Sequence, residues 1–146
     1  MEKTEICEQN SAVHIRRKEC LSSIVLKRKR DHAIDLLEQI ISIPSSNPHV
    51  SDRDETEIAR FLKEELENSG IQTEFQPVTS KSYWAFGEER TYTRPNVIAR
   101  IGSGSGKKLI LNGHIDTVSG ETMKGAFEAR VMGDRLYGRG SSDMKG

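Results

Sequence analysis

A histidine and two aspartates are the residues whose types and spacing could support metal chemistry in this sequence. His114 and Asp116 lie two residues apart, directly after the apolar run Leu109–Leu111. In an extended backbone, side chains two apart project to the same side, so this imidazole and carboxylate would share one face at the end of a strand. Open α/β sheets bind ligands at that edge. Taken alone, the His-x-Asp pair is a weak signal, and a structural or solvent-exposed pair is the favoured interpretation.

A second cluster lies at the end of the sequence. Gly138 and Gly140 precede Asp143, and glycines permit a tight turn with a close backbone approach. Such a turn would bring Asp143 back to His114 and Asp116. A carboxylate can bridge two divalent ions, an imidazole can bind one of them, and a further carboxylate can orient that imidazole. We therefore predict that the three side chains converge; the alternative is a Gly-rich hairpin with a capping aspartate.

The two clusters together resemble the paired N-terminal signatures of the zinc-dependent aminoacylase and peptidase family. Members of that family include acetylornithine deacetylase and succinyl-diaminopimelate desuccinylase. The segments that carry the resemblance are 111–118, LNGHIDTV, and 138–146, GRGSSDMKG. The similarity extends over about residues 31–146, including an opening helix that ends at Ile-Pro-Ser.

The resemblance implies a role for each of the three side chains. His114 is expected to be a ligand of one zinc ion and Asp143 to bridge two. Asp116 is expected to be catalytic, lying beside His114 and tuning its orientation and basicity. The resemblance also implies two Zn²⁺ ions per complete site, with Co²⁺ as an alternative metal, and a cis peptide bond after Asp143. The expected reaction is metal-dependent cleavage of an amide bond in an N-acyl amino acid or small peptide.

The sequence departs from the family pattern after these motifs. Ser119 stands where many members have proline, and the tryptophan usual in the following loop is absent from residues 120–126. The family's Glu-Glu pair, a further acidic ligand and a late histidine follow the bridging aspartate, whereas Gly146 is only three residues beyond Asp143. We therefore expect the N-terminal part of a hydrolase, truncated at its C-terminus and inactive as this fragment. The alternative is a non-catalytic metal-binding or interaction module.

Composition limits the remaining classes of function. The 146 residues include 22 Lys+Arg and 22 Asp+Glu, a balance that disfavours a nucleic-acid partner. The apolar runs are too short to span a bilayer, so we expect no membrane partner. The expected partner is a small N-acyl amino acid or peptide substrate, in a cytoplasmic protein whose complete form the resemblance suggests to be a homodimer.

Charge divides the chain into two regions. Residues 1–30 hold eight basic and four acidic side chains, a balance of +4, together with Cys7 and Cys20. The cysteine spacing matches neither a CxxC pair nor a zinc knuckle, which favours two reduced thiols. We predict a disordered basic extension over residues 1–30 and a partial metallohydrolase catalytic domain over residues 31–146.

Hydrophobic periodicity predicts an α/β fold with a mixed sheet flanked by helices. The two predicted helices are Asp31–Ile43 and Asp54–Ser69. A capping box of Asp52 and Glu55 would open the second helix, and Gly70 would close it.

The predicted strands follow these helices. They are Ile71–Phe75 (ended by Pro77), Asn96–Ile101, Lys108–Asn112, and a hairpin of Phe127–Met132 and Arg135–Tyr137 around Gly133-Asp134, with an irregular loop over Lys81–Pro95. The second and third strands are near-continuous apolar runs, a pattern typical of strands buried on both faces. Two helices cannot cover both faces of such a sheet. We therefore expect exposed apolar surface and an isolated chain that is partly unfolded or aggregating.

Overall fold

A computed structural model describes residues 21–48, 53–83, 89–102 and 104–146 of the chain. Within these ranges lie helices α1 (Leu21–Ser42) and α2 (Thr56–Asn68), and strands β1 (Gln72–Tyr83), β2 (Glu89–Arg100), β3 (Arg130–Met132) and β4 (Arg135–Tyr137). The mixture of helices and strands agrees with the predicted α/β class. The predicted mixed sheet is wrong for the described strands, because β1 pairs with β2 and β3 with β4 in two separate antiparallel sheets.

Helix α1 begins ten residues before the predicted Asp31. Residues 21–30 are therefore helical, and the expected boundary between a disordered extension and a folded domain falls inside α1. Leucine, lysine and arginine are good helix formers, and the segment contains no glycine or proline. The apolar periodicity of a buried face starts only near Ala33. The start predicted from this periodicity was therefore too far along the chain. Residues 1–20, with both cysteines, lie outside the described residues.

The C-terminal half of α1 carries the buried part of the helix. Ile41 is fully buried, whereas the side chains of residues 25–35 are exposed. Pro44 follows directly and prevents the helix from continuing, as predicted. Neither described helix is long and apolar enough to cross a membrane.

Helix α2 ends as the sequence predicts. Gly70 adopts a positive φ of 75°. The N–H of Gly70 donates to the C=O of Glu67, and the N–H of Ile71 donates to the C=O of Leu66, both at 2.9 Å. This pair of bonds is a Schellman motif, and it satisfies carbonyls that the helix end would otherwise leave without partners.

The start of α2 differs from the predicted capping box. The Asp54 carboxylate accepts a hydrogen bond from the N–H of Thr56 at 2.8 Å. Glu55 occupies the N-cap position and makes no side-chain cap bond. Its carboxylate instead accepts from Arg94, so the capping box is wrong at Glu55; Asp52 lies outside the described residues.

Strands β1 and β2 form one long hairpin where the sequence predicted a short strand and a loop. Strand β1 continues through Pro77, so the predicted strand end is wrong. The irregular loop predicted over Lys81–Pro95 is wrong at residues 81–83 and 89–95, which belong to the two strands, and residues 84–88 lie outside the described residues. Pro77 lies directly opposite Pro95 in the register. Proline has no backbone N–H and cannot donate a hydrogen bond to the partner strand. This rung must therefore be a non-hydrogen-bonded pair, in which the backbone groups of both residues point away from the partner strand. The predicted strand Asn96–Ile101 forms the last part of β2.

The second hairpin is confirmed with a shorter first strand. Strand β3 pairs with β4 around Gly133-Asp134, and Gly133 has a φ of 66°. The predicted start of the first strand at Phe127 is wrong, because the chain before Arg130 is a turn in which the N–H of Glu128 donates to the C=O of Gly125.

The apolar segment at Lys108–Asn112 does not form the predicted strand. A strand requires a hydrogen-bonded neighbour, and no described segment pairs with this one. The side chains of Leu109, Ile110 and Leu111 are 86%, 83% and 89% exposed. The expectation of exposed apolar surface is therefore confirmed for this segment.

Helix α2 packs against the β1–β2 hairpin and is tied to it by an ion pair. Ile58 and Ala59 of α2 are fully buried. Arg94 of β2 donates from Nη1 to Glu55 Oε1 at 3.0 Å, and the Glu55 side chain is only 5% exposed. Burial raises the pKa of Glu55, against the opposing effects of its own backbone hydrogen bond and of Arg94.

Replacing Leu109, Ile110 and Leu111 together with serine should reduce self-association without lowering the unfolding temperature. These side chains lie in solvent, so they add little burial to the folded state but present apolar surface to other molecules. Sedimentation velocity would measure association, and thermal unfolding would measure stability. Ile41→Ser, at a fully buried position, is the control and should lower the unfolding temperature. A triple variant that unfolds as early as Ile41→Ser would contradict the exposure of this segment.

Glu55→Gln should change how stability depends on pH. Because the pKa of Glu55 is raised in the folded chain, its stabilising contribution is present below the unfolded pKa and is lost as the pH rises through the folded pKa. The unfolding free energy of the wild type should therefore fall relative to that of Glu55→Gln as the pH rises above the ordinary glutamate pKa of 4.5. Urea unfolding at several pH values measures this difference, with Glu64→Gln on α2 as the matched control. A difference that is constant or grows with pH would refute the raised pKa.

Candidate metal centre

His114 lies between the two aspartates predicted to join it. Its Nδ1 is 3.0 Å from Asp116 Oδ1, and its Nε2 is 3.0 Å from Asp143 Oδ1. The structure thus confirms that the three side chains converge, although Asp143 is 29 residues from His114 in sequence. The peptide bond between Asp143 and Met144 is cis, which was also predicted. The metal-binding and catalytic roles of the three residues stay predictions.

The site is open to solvent on the side of Asp143. The side chains of His114, Asp116 and Asp143 are 48%, 31% and 87% exposed. They line a cavity of about 300 Å³, together with Thr117, Val118 and residues 138–142. The hydrogen bond to Asp143 raises the pKa of His114, and Asp116 acts in the same direction. The two carboxylates therefore favour a positive charge at this position. A protonated imidazole supplies that charge, and a bound cation would supply it as well.

The segment 114–117 is held by segment 45–47, which follows α1. The N–H of Thr117 donates to the C=O of Ser45, and the N–H of Asn47 donates to the C=O of Thr117, each at 2.9 Å. These bonds form an isolated parallel bridge between the two segments. Because Pro44 ends the helix, the chain is free to extend alongside the site at this point.

Two side chains of the same segment reinforce this bridge. The Ser45 hydroxyl donates to the C=O of Ile115 at 2.7 Å, and the Asn47 side-chain amide donates to Asp116 Oδ2 at 2.9 Å. Sequence reasoning missed both residues. The available signal was the polar run directly after Pro44, but nothing in the sequence connects that run with residues about 70 positions later.

Glycines allow the segment that carries Asp143 to approach α1. A Cβ on Gly138 would overlap the side chain of Ile41, so no larger residue fits there without a shift. A Cβ on Gly140 would lie 2.8 Å from Cδ of Lys145. The predicted close approach is confirmed at Gly138, and the predicted turn is supported at Gly140 by its positive φ of 92°.

Lys145 connects the segment that carries Asp143 to the end of α1 through hydrogen bonds. Its Nζ donates to the C=O of Ile40 at 2.9 Å and of Ile43 at 2.7 Å, and it lies 5.9 Å from the centroid of the Phe127 ring. The last carbonyls of a helix lack partners within the helix, and a cation there is favourable. Burial lowers the pKa of Lys145 to about 8. Lys145 belongs to the quoted motif, but its structural role was not predicted.

The donor atoms present fit part of a zinc site. Imidazole nitrogen and carboxylate oxygen are both zinc ligands, and two such donors on one tetrahedral ion lie about 3.3 Å apart. His114 Nε2 and Asp143 Oδ1 are separated by 3.0 Å, which is close to that spacing. Asp116 supports the opposite ring nitrogen, as carboxylates commonly do behind a zinc-bound histidine. Among the described residues, no group of three or more His, Cys, Asp or Glu side chains could hold a metal ion.

Comparison with known proteins bears on the same segments. The family model for peptidase family M20/M25/M40 matches residues 110–146, a range that contains His114, Asp116 and Asp143. Curated relatives align over 77% to 83% of the chain. The chain is similar to members of peptidase family M20/M25/M40. The predicted family resemblance is therefore confirmed.

Three relatives illustrate the similarity within peptidase family M20/M25/M40. A peptidase M20 domain-containing protein of Schizosaccharomyces pombe is 32% identical over 115 residues, which are 79% of this chain and 24% of that protein. Acetylornithine deacetylase of Proteus mirabilis is 33% identical over 118 residues, 77% of this chain and 28% of the relative. Probable succinyl-diaminopimelate desuccinylase of Staphylococcus aureus is 31% identical over 117 residues, 77% of this chain and 24% of the relative. The chain thus spans about a quarter of the length of these M20/M25/M40 relatives. No solved structure matches the chain.

Lys145→Met should destabilise the chain by about 1–3 kcal/mol, because it removes a charged donor from two carbonyls at the end of α1 while keeping most of the side-chain volume. Urea unfolding measures the loss. Lys124→Met, at an exposed position, is the matched control and should change stability by less than about 0.5 kcal/mol. Equal stability of the two variants would mean that the Lys145 contacts contribute nothing.

Proposed function

We propose that the chain is the N-terminal part of a metal-dependent amide hydrolase that acts on N-acyl amino acids or small peptides. The observation that carries this proposal is the position of His114 between two carboxylates, one on each ring nitrogen at 3.0 Å. Similarity to peptidase family M20/M25/M40 supports the reaction class, because relatives over the same range are named as a deacetylase and a desuccinylase. In this proposal residues 31–146 are the opening part of a zinc-peptidase-like catalytic domain in a cytoplasmic protein, and the complete protein is a homodimer.

The proposal assigns distinct tasks to the three side chains. His114 would bind one Zn²⁺ through Nε2, and the Asp143 carboxylate would bridge that ion to a second. Bound zinc supplies a Lewis acid that polarises the amide carbonyl and lowers the pKa of a water molecule. Asp116 would accept a hydrogen bond from Nδ1–H. This bond would leave Nε2 unprotonated as the metal ligand and raise its basicity.

The surroundings of the site suit a small polar ligand. The cavity is bordered by residues of both motifs and opens where Asp143 is exposed, so a substrate reaches the two ligands from solvent. Segment 45–47 holds the His114 side of the cavity, and Lys145 holds the Asp143 side. The chain therefore fixes the ligands from two directions while leaving the face between them accessible.

The chain should bind Zn²⁺ weakly and through His114 and Asp143. Two ligands hold a metal less tightly than the three or four protein ligands of a complete zinc site. Isothermal titration with Zn²⁺ should show binding that His114→Ala and Asp143→Asn each weaken about ten-fold or more. His32→Ala, which removes an exposed histidine on α1, is the matched control and should bind as the wild type does. Equal binding by the His32 and His114 variants would refute the assignment.

The same chain should not hydrolyse N-acyl amino acids by itself. The family route needs a general base near the attacking water and ligands for two ions, and the two motifs supply at most two direct ligands and no matched base. Assays with N-acetylornithine and Zn²⁺ should show no turnover above that of His114→Ala. Turnover above that control would contradict the expected inactivity. Zinc binding without turnover agrees with the expected inactivity and also with the alternative of a non-catalytic metal-binding module.

A further inference from the structure

The Asp116 carboxylate is held at both of its oxygens. Oδ1 lies 3.0 Å from His114 Nδ1, and Oδ2 accepts from the Asn47 side-chain amide at 2.9 Å. A carboxylate bonded through one oxygen can rotate about its Cβ–Cγ bond, whereas bonds to both oxygens fix its plane. Asn47 thus determines how Asp116 faces the imidazole.

The backbone places Asn47 where this bond can form. Its N–H donates to the C=O of Thr117 at 2.9 Å, next to Asp116, and the neighbouring Ser45 and Ser46 are buried. The parallel bridge between segments 45–47 and 114–117 sets the register. Asn47 therefore reaches Asp116 from a backbone that is already held by hydrogen bonds, so the bond requires no further ordering of the backbone.

The two carboxylates compete for the single proton of a neutral imidazole. Asp143 is 87% exposed, whereas Asp116 is 31% exposed and is anchored by Asn47. Nδ1 also lies 3.1 Å from the backbone oxygen of Asp116, so this nitrogen has two acceptors within reach, whereas Nε2 faces Asp143 Oδ1. The neutral imidazole should therefore carry its proton on Nδ1, which leaves Nε2 unprotonated on the side of Asp143, where a shared cation would satisfy both groups.

We propose that Asn47 is a positioning residue of this site: it orients Asp116 so that His114 keeps the Nδ1–H tautomer and presents Nε2 as the metal ligand. The inference rests on the proposed function for its metal-binding consequence. Its effect on the tautomer of the metal-free chain is independent of that function.

Nitrogen-15 NMR of the metal-free chain tests the tautomer directly. At a pH high enough to keep the imidazole neutral, the wild type should show His114 protonated on Nδ1. Asn47→Ala removes the amide, and Asn47→Asp replaces it with a group of the same size that cannot donate to Asp116. Both variants should shift the tautomer population toward Nε2–H, with Asn47→Asp shifted at least as far because its carboxylate repels Asp116.

The matched control is Asn96→Ala on β2, which removes an asparagine side chain that donates to Gln76 Oε1 at 3.4 Å, away from the site. Amide exchange at Asn47 and Thr117 reports whether the backbone bridge survives in each variant. If Asn47→Ala loses this bridge, the isosteric Asn47→Asp decides the question. An Nδ1–H population equal to that of the control in a variant with an intact bridge would overturn the inference.

Titration with Zn²⁺ gives the second readout. Asn47→Ala and Asn47→Asp should each weaken binding about ten-fold relative to Asn96→Ala, as loss of support behind a metal-bound histidine commonly does. A loss of affinity with an unchanged tautomer would also overturn the positioning role. If the wild type binds no Zn²⁺, the proposed function fails, and the tautomer measurement still decides the role of Asn47.

Discussion

The short parallel contact between segments 45–47 and 114–117 is the constraint on which the site depends. Buried N–H and C=O groups need hydrogen-bond partners, and this contact supplies them on both sides of Thr117. It also brings the Asn47 amide to Asp116. The position of the imidazole is thus set by backbone pairing between two stretches about 70 residues apart. Local preferences of the His-x-Asp motif alone would not fix it.

One end of one helix supports both halves of the site. The chain leaving α1 pairs with the segment that carries His114, and the carbonyls of Ile40 and Ile43 accept from Lys145, two residues after Asp143. Gly138 allows the same region to lie against Ile41. The two motifs that the sequence shows separately are therefore aligned through a shared anchor.

Sequence patterns predicted the features that depend on neighbouring residues. The Gly70 helix end, the turn at Gly133 and the convergence of the two motifs all follow from residue types at short range or from a motif resemblance. The sequence patterns failed where a hydrogen-bonding partner distant in sequence decides the local structure. Pro77 does not end β1, because β2 tolerates it on the rung opposite Pro95, and Lys108–Asn112 has the composition of a strand but no described neighbour to pair with. Asn47 was missed for the same reason.

The facing prolines of the first hairpin also affect its outer edges. At a non-hydrogen-bonded rung the N–H groups of an antiparallel pair point away from the partner strand, so Pro77 and Pro95 leave a missing donor on both outer edges at one level. An approaching strand would find its hydrogen-bonding template interrupted there, whichever edge it met. Strands with two free edges are templates for intermolecular β-sheet growth, and proline is one of the devices that block it. The hairpin is thereby protected against cross-β association in a way that the exposed run Leu109–Leu111, which has no proline, is not.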